Sequence, residues 1–273
     1  MRLKTTLQSL VEEAMHFNLK LFQFFLIEES AHNYVVFTAE EKKFFNQHRS
    51  QFLDIFIHSS YWINPATPKK SVFYYSKKLL KAEIESAKSL NISYLVLHPG
   101  SAKGHQSTKK KIDEKQDGIL TIARMLNSLL KNEHDVKILL ENTAHGKKTI
   151  GNDLNDFVRI KNELDYPDRV GFCIDFAHAF SYGYNLVPAD DFVTFIDQLL
   201  GLENVKLIHF NDTYDKHGSM QDRHAFPGTG SIGKEALNEL LHHQKLISIP
   251  AVIEAPSNDI EKTFEAFKSV LNW

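Results

Sequence analysis

Short, continuous apolar runs alternate along the chain with longer stretches whose apolar residues recur at helical spacing. Arg2–Thr5 is a candidate strand, Leu7–Phe17 has helical spacing, and Leu19–Ile27 reads as a buried strand. Thr38, followed by Glu40 and Glu41, marks the next helix start, because Thr caps well and acids suit a helix N-terminus. Strand Phe52–Ile57 then ends at His58, helix Ser71–Leu90 follows, and strand Ile92–Leu97 ends at His98 before Pro99 and Gly100. The alternation continues with helix Lys111–Lys131, strand Val136–Leu140 ending at Glu141, helix Leu154–Leu164, and strand Val170–Ile174 ending at Asp175. Helix Ala189–Leu200, strand Val205–Ile208 ending at His209, helix Lys234–His242, strand Ile249–Ile253 ending at Glu254, and helix Asp259–Leu271 complete the chain.

Close to eight strand–helix units with continuous rather than alternating apolar strands predict an α/β protein whose parallel sheet is covered on its faces. A (β/α)8 TIM barrel over residues 1–273, as a single domain, is the natural reading, with its active site at the C-terminal ends of the strands. A doubly wound open sheet is the alternative, but it would not bring six strand ends round one centre.

Composition narrows the chemistry. With 42% apolar residues the chain can bury a sizeable core, and a net charge of −2 means that a nucleic-acid partner must be held by a local basic surface or by metal ions. The single cysteine, Cys173, excludes thiolate-rich zinc sites and an internal disulfide, which fits a reducing cytoplasm. The absence of a long apolar run or an apolar N-terminal signal core predicts a soluble, non-exported protein without a membrane partner.

Six consecutive strands end in His58, His98, Glu141, Asp175, His209 and Glu254. Singly, each has an ordinary explanation: a satisfied core histidine, a turn residue, a salt-bridge partner, or, for Asp175, the cap of the next helix. Jointly, strand ends that converge in a barrel would crowd charges and imidazoles that repel or sit desolvated unless cations lie between them. His178 follows Asp175 by three residues, and Asp222 and His224 in the loop after His209 are spaced so that an extended segment points both to one side. The nine candidate ligands exceed what one four-coordinate zinc can use and suit three zinc ions plus water.

The stretches IHSSYWIN, VLHPGS, LLENTA, GFCIDFAHAF with GYN, HFND, GSMQDRHAFPGTGSIG and VIEAP, from Ile57 to Pro256, resemble the endonuclease IV family of apurinic/apyrimidinic endonucleases. The resemblance implies a xylose-isomerase-like barrel that hydrolyses the phosphodiester 5′ to abasic sites in double-stranded DNA, in base excision repair, as a monomer with three Zn2+ per chain. It implies that His58 and His98 hold the first zinc, with Glu141 bridging to a second completed by Asp175, His209 and Glu254; His178, Asp222 and His224 hold the third. Glu141, Asp175 and Glu254 are then the catalytic carboxylates. Tyr61 and Trp62, which follow His58, read as exposed on a barrel-top loop, either stacked against bases or covering the barrel rim; the resemblance implies that they enter the DNA helix at the lesion.

Gly228–Gly233, GTGSIG, matches a dinucleotide fingerprint but follows a polar loop rather than a strand, so a turn whose helix N-terminus faces a phosphate fits better. Lys109–Lys111 reads as a solvated helix start with phosphate contact as the alternative. The chain departs from the family pattern at MRLKT, where a Gly- and His-containing first strand is expected, and at Ile27–Tyr34, where Glu28 and Glu29 replace a basic DNA-probing segment. A sugar isomerase or epimerase with one metal on Glu141, Asp175, His209 and Glu254 is the rival function, and a metal-poor DNA-binding relic the third; five surplus ligand-type residues speak against the rival.

Overall fold

The computed structural model describes residues 6–26, 37–104, 114–132, 135–146, 148–254 and 260–272. The segments Arg2–Thr5, Ile27–Tyr34 and Lys109–Lys111 lie outside the described residues. In chain order the strands are β1 (Leu21–Phe25), β2 (Asp54–His58), β3 (Tyr94–Leu97), β4 (Lys137–Glu141), β5 (Val170–Asp175), β6 (Val205–His209), β7 (Asp212–Thr213), β8 (His224–Ala225) and β9 (Ala251–Val252). The helices are α1 (Leu7–His16), α2 (Ala39–His48), α3 (Lys70–Ser89), α4 (Glu114–Leu130), α5 (Asn155–Asn162), α6 (Phe176–Tyr182), α7 (Ala189–Leu200), α8 (Lys234–Leu241) and α9 (Ile260–Leu271). No described helix is long and apolar enough to cross a membrane.

Seven strands pair in parallel in the order β1-β2-β3-β4-β5-β6-β9, and β7 and β8 form a separate antiparallel pair. The sheet curls into a nearly closed barrel, because Gln23 on β1 donates to Glu254 just past β9 at 2.7 Å. Strand register decides what the barrel holds. Gln23 pairs with Phe56 and Phe25 with His58, His58 with Val96, Glu141 with Cys173, Asp175 with His209, and His209 with Val252. Register partners face the same side, so one parity of each strand lines the interior.

That parity separates two cores. Phe56, Val96, Leu139, Cys173 and Leu207 are buried together as a small plug inside the barrel, while the larger core lies between the strands and the surrounding helices. Two residues beyond each plug side chain, on the same face, come His58, His98, Glu141, Asp175 and His209, and Glu254 stands in the same relation to Val252. Burying each plug side chain stabilises the fold by about 1.5–3 kcal/mol. The apolar plug therefore forms a dry floor under a polar layer.

Two local departures from the predicted elements shape the rim. A seven-residue helix, α6, starts directly at the end of β5, because the Asp175 side chain accepts the His178 N–H, and it stops at Gly183, whose φ of 121° a side chain would resist. The β7–β8 hairpin folds the loop after β6 back across the barrel mouth. Thr38 caps α2 as expected, its side chain accepting the Glu41 N–H while the Glu41 carboxylate accepts the Thr38 N–H.

Candidate metal centre

All nine ligand-type side chains converge on the mouth of the barrel. The first group joins β2, β3 and β4: His58 Nε2 and His98 Nε2 lie 2.9 and 3.0 Å from Glu141 Oε2. In the second, His209 Nδ1 lies 2.9 Å from Glu141 Oε1, 3.1 Å from Glu254 Oε2 and 3.7 Å from Asp175 Oδ2. The third is a triangle on α6 and the hairpin: Asp222 Oδ1 is 3.2 Å from His178 Nε2 and 3.3 Å from His224 Nε2, and the two imidazole nitrogens are 3.3 Å apart. Asp175 Oδ2 also lies 3.6 Å from His224 Nε2, so this carboxylate reaches the third group as well as the second.

These spacings fit divalent ions. Two bonds of about 2.0–2.1 Å at a tetrahedral angle hold their donor atoms about 3.3 Å apart. Three sets, His58/His98/Glu141, Glu141/Asp175/His209/Glu254 and Asp175/His178/His224, each bring ligand atoms within 4.8 Å of one another and could hold a metal. Glu141 turns one oxygen to the first set and the other to the second, as a bridging carboxylate does.

Neighbouring groups fix which ring nitrogen faces inward. The Nδ1 of His58 bonds the Ser59 carbonyl and the Nδ1 of His178 the Asn142 carbonyl, both at 2.8 Å, which leaves each Nε2 for the centre. His209 is turned the other way, with Nε2 at 3.0 Å from Gln23 Oε1 and Nδ1 inward. Asn142 exchanges both its amide atoms with the Asp175 backbone, and Asn211 donates to Asp175 Oδ2 at 2.7 Å while accepting the Glu254 N–H at 2.7 Å.

The electrostatics show how much the cluster depends on internal compensation. Burial alone would push the Glu141 carboxyl up, but the His98 and His209 imidazoles outweigh it and hold it well below the usual carboxylate range. Burial would lower His178, yet Asp175 and Asp222 hold it well above the ordinary imidazole value. Burial likewise opposes the shifts of Asp222 and Glu254, which His178 and His209 respectively hold low. The raised imidazole and lowered carboxylate values are two sides of the same close contacts, so binding of a cation among these groups would be coupled to proton release.

Tyr61 and Trp62 are 61% and 46% exposed on the loop after β2. The Tyr61 ring stacks on Phe25 at 5.6 Å and stands 5.8 Å from His58 and 5.9 Å from His98, so it overhangs the first group. The glycine-rich turn does not face outward as expected. Asp212 Oδ2 accepts the N–H groups of Gly228, Gly230 and Gly233 at 3.1, 2.9 and 3.3 Å, and Oδ1 accepts that of Ile232 at 2.9 Å. An internal carboxylate occupies the anion position that the motif suggested for a phosphate. A Cβ on Gly230 would collide with the Thr213 carbonyl and this carboxylate, which explains the glycine.

Sequence reasoning did not single out Gln23, Asn142, Asn211, Asp212 or His145. The two asparagines lie inside the family-like stretches LLENTA and HFND, one residue after Glu141 and two after His209. His145, half-exposed, places Nε2 3.6 Å from the outer oxygen of Asp222.

The nearly closed barrel of parallel strands agrees with the xylose isomerase-like TIM barrel family, whose sequence model matches residues 15–273. Probable endonuclease 4 of Thermosipho melanesiensis is 37% identical over 216 residues, 76% of this chain and 74% of that protein. Probable endonuclease 4 of Thermotoga maritima is 35% identical over 233 residues, 82% of this chain and 78% of that one. The chain belongs to the endonuclease IV family of these barrels. Its fold matches the crystal structure of endonuclease IV from Thermus thermophilus with a TM-score of 0.82 at 24% identity, covering 100% of this chain and 97% of that one. A D-tagatose 3-epimerase-like protein shares the fold at a TM-score of 0.72 and 20% identity, covering 98% and 94%.

Proposed function

We propose that this phosphodiester hydrolase is a zinc-dependent apurinic/apyrimidinic endonuclease that cuts double-stranded DNA 5′ to abasic sites in base excision repair, leaving a 3′-hydroxyl. The observation that carries the reading is a third donor group, His178 and His224 with Asp175 and with Asp222 Oδ1 within 3.3 Å of both imidazoles, beside two groups that share Glu141. The four carboxylates Glu141, Asp175, Asp222 and Glu254 would by themselves repel a phosphodiester, so cations are needed to reverse the sign of the bowl. His58, His98 and Glu141 would hold the first zinc, Glu141, Asp175, His209 and Glu254 the second, and His178, Asp222 and His224 the third. When bound, zinc supplies Lewis acidity, polarising phosphoryl oxygen and making water a competent nucleophile at neutral pH.

The chain's own residues do the rest. Glu141, Asp175 and Glu254, each fixed by partners in the barrel wall, keep the donor atoms at one spacing while substrate enters. Tyr61 and Trp62 stack against bases flanking the lesion, and the Tyr61 ring closes one side of the bowl against bulk water. An abasic nucleotide has no stacked base, so turning it out costs less than the few kcal/mol of an intact pair. We read the protein as a single-domain cytoplasmic monomer over residues 1–273.

The second donor group alone would suit a single-metal sugar epimerase. The three-zinc nuclease uses all nine side chains. Incision of an abasic-site duplex, with and without chelator and with His98→Ala, tests it. Activity is expected to disappear under both treatments, and cleavage that survives both contradicts the zinc mechanism.

A further inference from the structure

Gln23 is the polar residue in the otherwise apolar strand β1, and it is 5% exposed. Its register partner is Phe56 of the barrel plug, so it occupies an inward position one step below the ligand layer, where other strands carry apolar side chains. A primary amide buried there needs partners for both ends, and it has them. Its Oε1 lies 3.0 Å from His209 Nε2, and its Nε2 donates to Glu254 Oε1 at 2.7 Å.

The chemistry of these two contacts leaves one assignment. The reversed amide would set its oxygen against the Glu254 carboxylate, so the oxygen faces His209. An amide oxygen only accepts, and His209 Nε2 must therefore carry a proton and donate it. The ring nitrogen left for the centre is Nδ1, which faces Glu141, Glu254 and Asp175. The same amide ties down Glu254 Oε1, which leaves Oε2 turned toward His209.

We propose that Gln23 is a positioning residue for the second metal position: it fixes His209 as an Nδ1 ligand and aims Glu254 Oε2, across the seam between β1 and β9. The inference rests on the three-zinc function proposed for the site. Removing such an outer partner weakens metal binding by about 10- to 100-fold, in this case at the second position.

The test uses the full chain loaded with zinc, the parent beside Gln23→Leu and Gln23→Glu. Zinc retained per chain is measured against a graded competing chelator, and long-range nitrogen-15 NMR of the imidazoles reports which ring nitrogen carries the proton. The parent is expected to show His209 protonated on Nε2. Both variants are expected to release one zinc at a chelator strength about 10- to 100-fold below that needed for the parent, since Leu offers neither contact and Glu cannot donate to Glu254. A parent His209 protonated on Nδ1 overturns the inference, and this readout does not depend on any variant folding. Variants that match a three-zinc parent overturn the inference alone, whereas a parent that holds no zinc overturns the metal reading with it.

Discussion

Replacing Glu83 by Gln should stabilise the protein at alkaline pH and lose that advantage in acid. Glu83 lies on α3 and is 2% exposed; Oε1 accepts the Ser60 N–H at 3.0 Å, while Oε2 is buried with no hydrogen-bond partner among the described residues. Burial pushes its carboxyl up to about 8 despite the Ser60 amide, against an ordinary value of 4.5. A carboxyl raised in the folded state binds its proton more tightly there than in the unfolded chain. Its contribution is therefore complete below about 4.5, declines as pH rises between the two values, and is flat above about 8. At about 1.4 kcal/mol per pH unit, ionisation costs on the order of 3 kcal/mol more at pH 8 than at pH 5. Gln keeps the acceptor for Ser60 and cannot ionise. Urea unfolding of parent and variant in matched metal conditions, at pH 5, 6, 7 and 8, should show the variant's relative stability rising by about 3 kcal/mol across the series. A difference independent of pH would refute the assignment. The outcome bears on function because Ser60 lies between His58 and Tyr61, on the loop that presents the exposed aromatics.

Asp212→Ala leaves a set of inward-turned amides without their acceptor and is expected to cost at least about 3 kcal/mol in urea unfolding; a change below about 0.5 kcal/mol would mean that water replaces the carboxylate freely. Tyr61→Ala and Trp62→Ala should each weaken binding to an abasic duplex by about 5- to 150-fold, from about 1–3 kcal/mol of stacking, with circular dichroism unchanged; unaltered binding in a fluorescence-anisotropy titration would remove them from the DNA interface. Zinc retention should fall as pH is lowered from 8 to 6, because protons held by the raised His178 and His209 imidazoles compete with the metal. A dye-release assay showing the same retention at both pH values would contradict that competition.

The strand ends were legible because His58, His98, Glu141, Asp175, His209 and Glu254 each close a continuous apolar run, whereas the period of two that sets them one inward step beyond an apolar side chain shows only in the structure. What surrounds these residues was less visible. Gln23 is hidden inside LFQFF, where a single amide does not disturb a buried-strand pattern, and its partners lie 186 and 231 residues away. Asp212 stands in plain view within HFND, yet the amides it gathers come 16 to 21 residues later, from a glycine motif whose ordinary use is to bind an external anion. Helix α6 was missed because it begins without a loop: Asp175 is at once the last residue of β5, the cap of α6 and a member of the polar cluster. The β7–β8 pairing, two residues on each side, is too short to carry a strand pattern.

Native mass spectrometry of the purified chain, before and after graded chelation, tests the central claim most directly. Three zinc ions per chain are predicted, lost together with abasic-site incision. A chain that holds one divalent ion at saturation would point to the single-metal epimerase chemistry instead, and one that binds none would contradict the account.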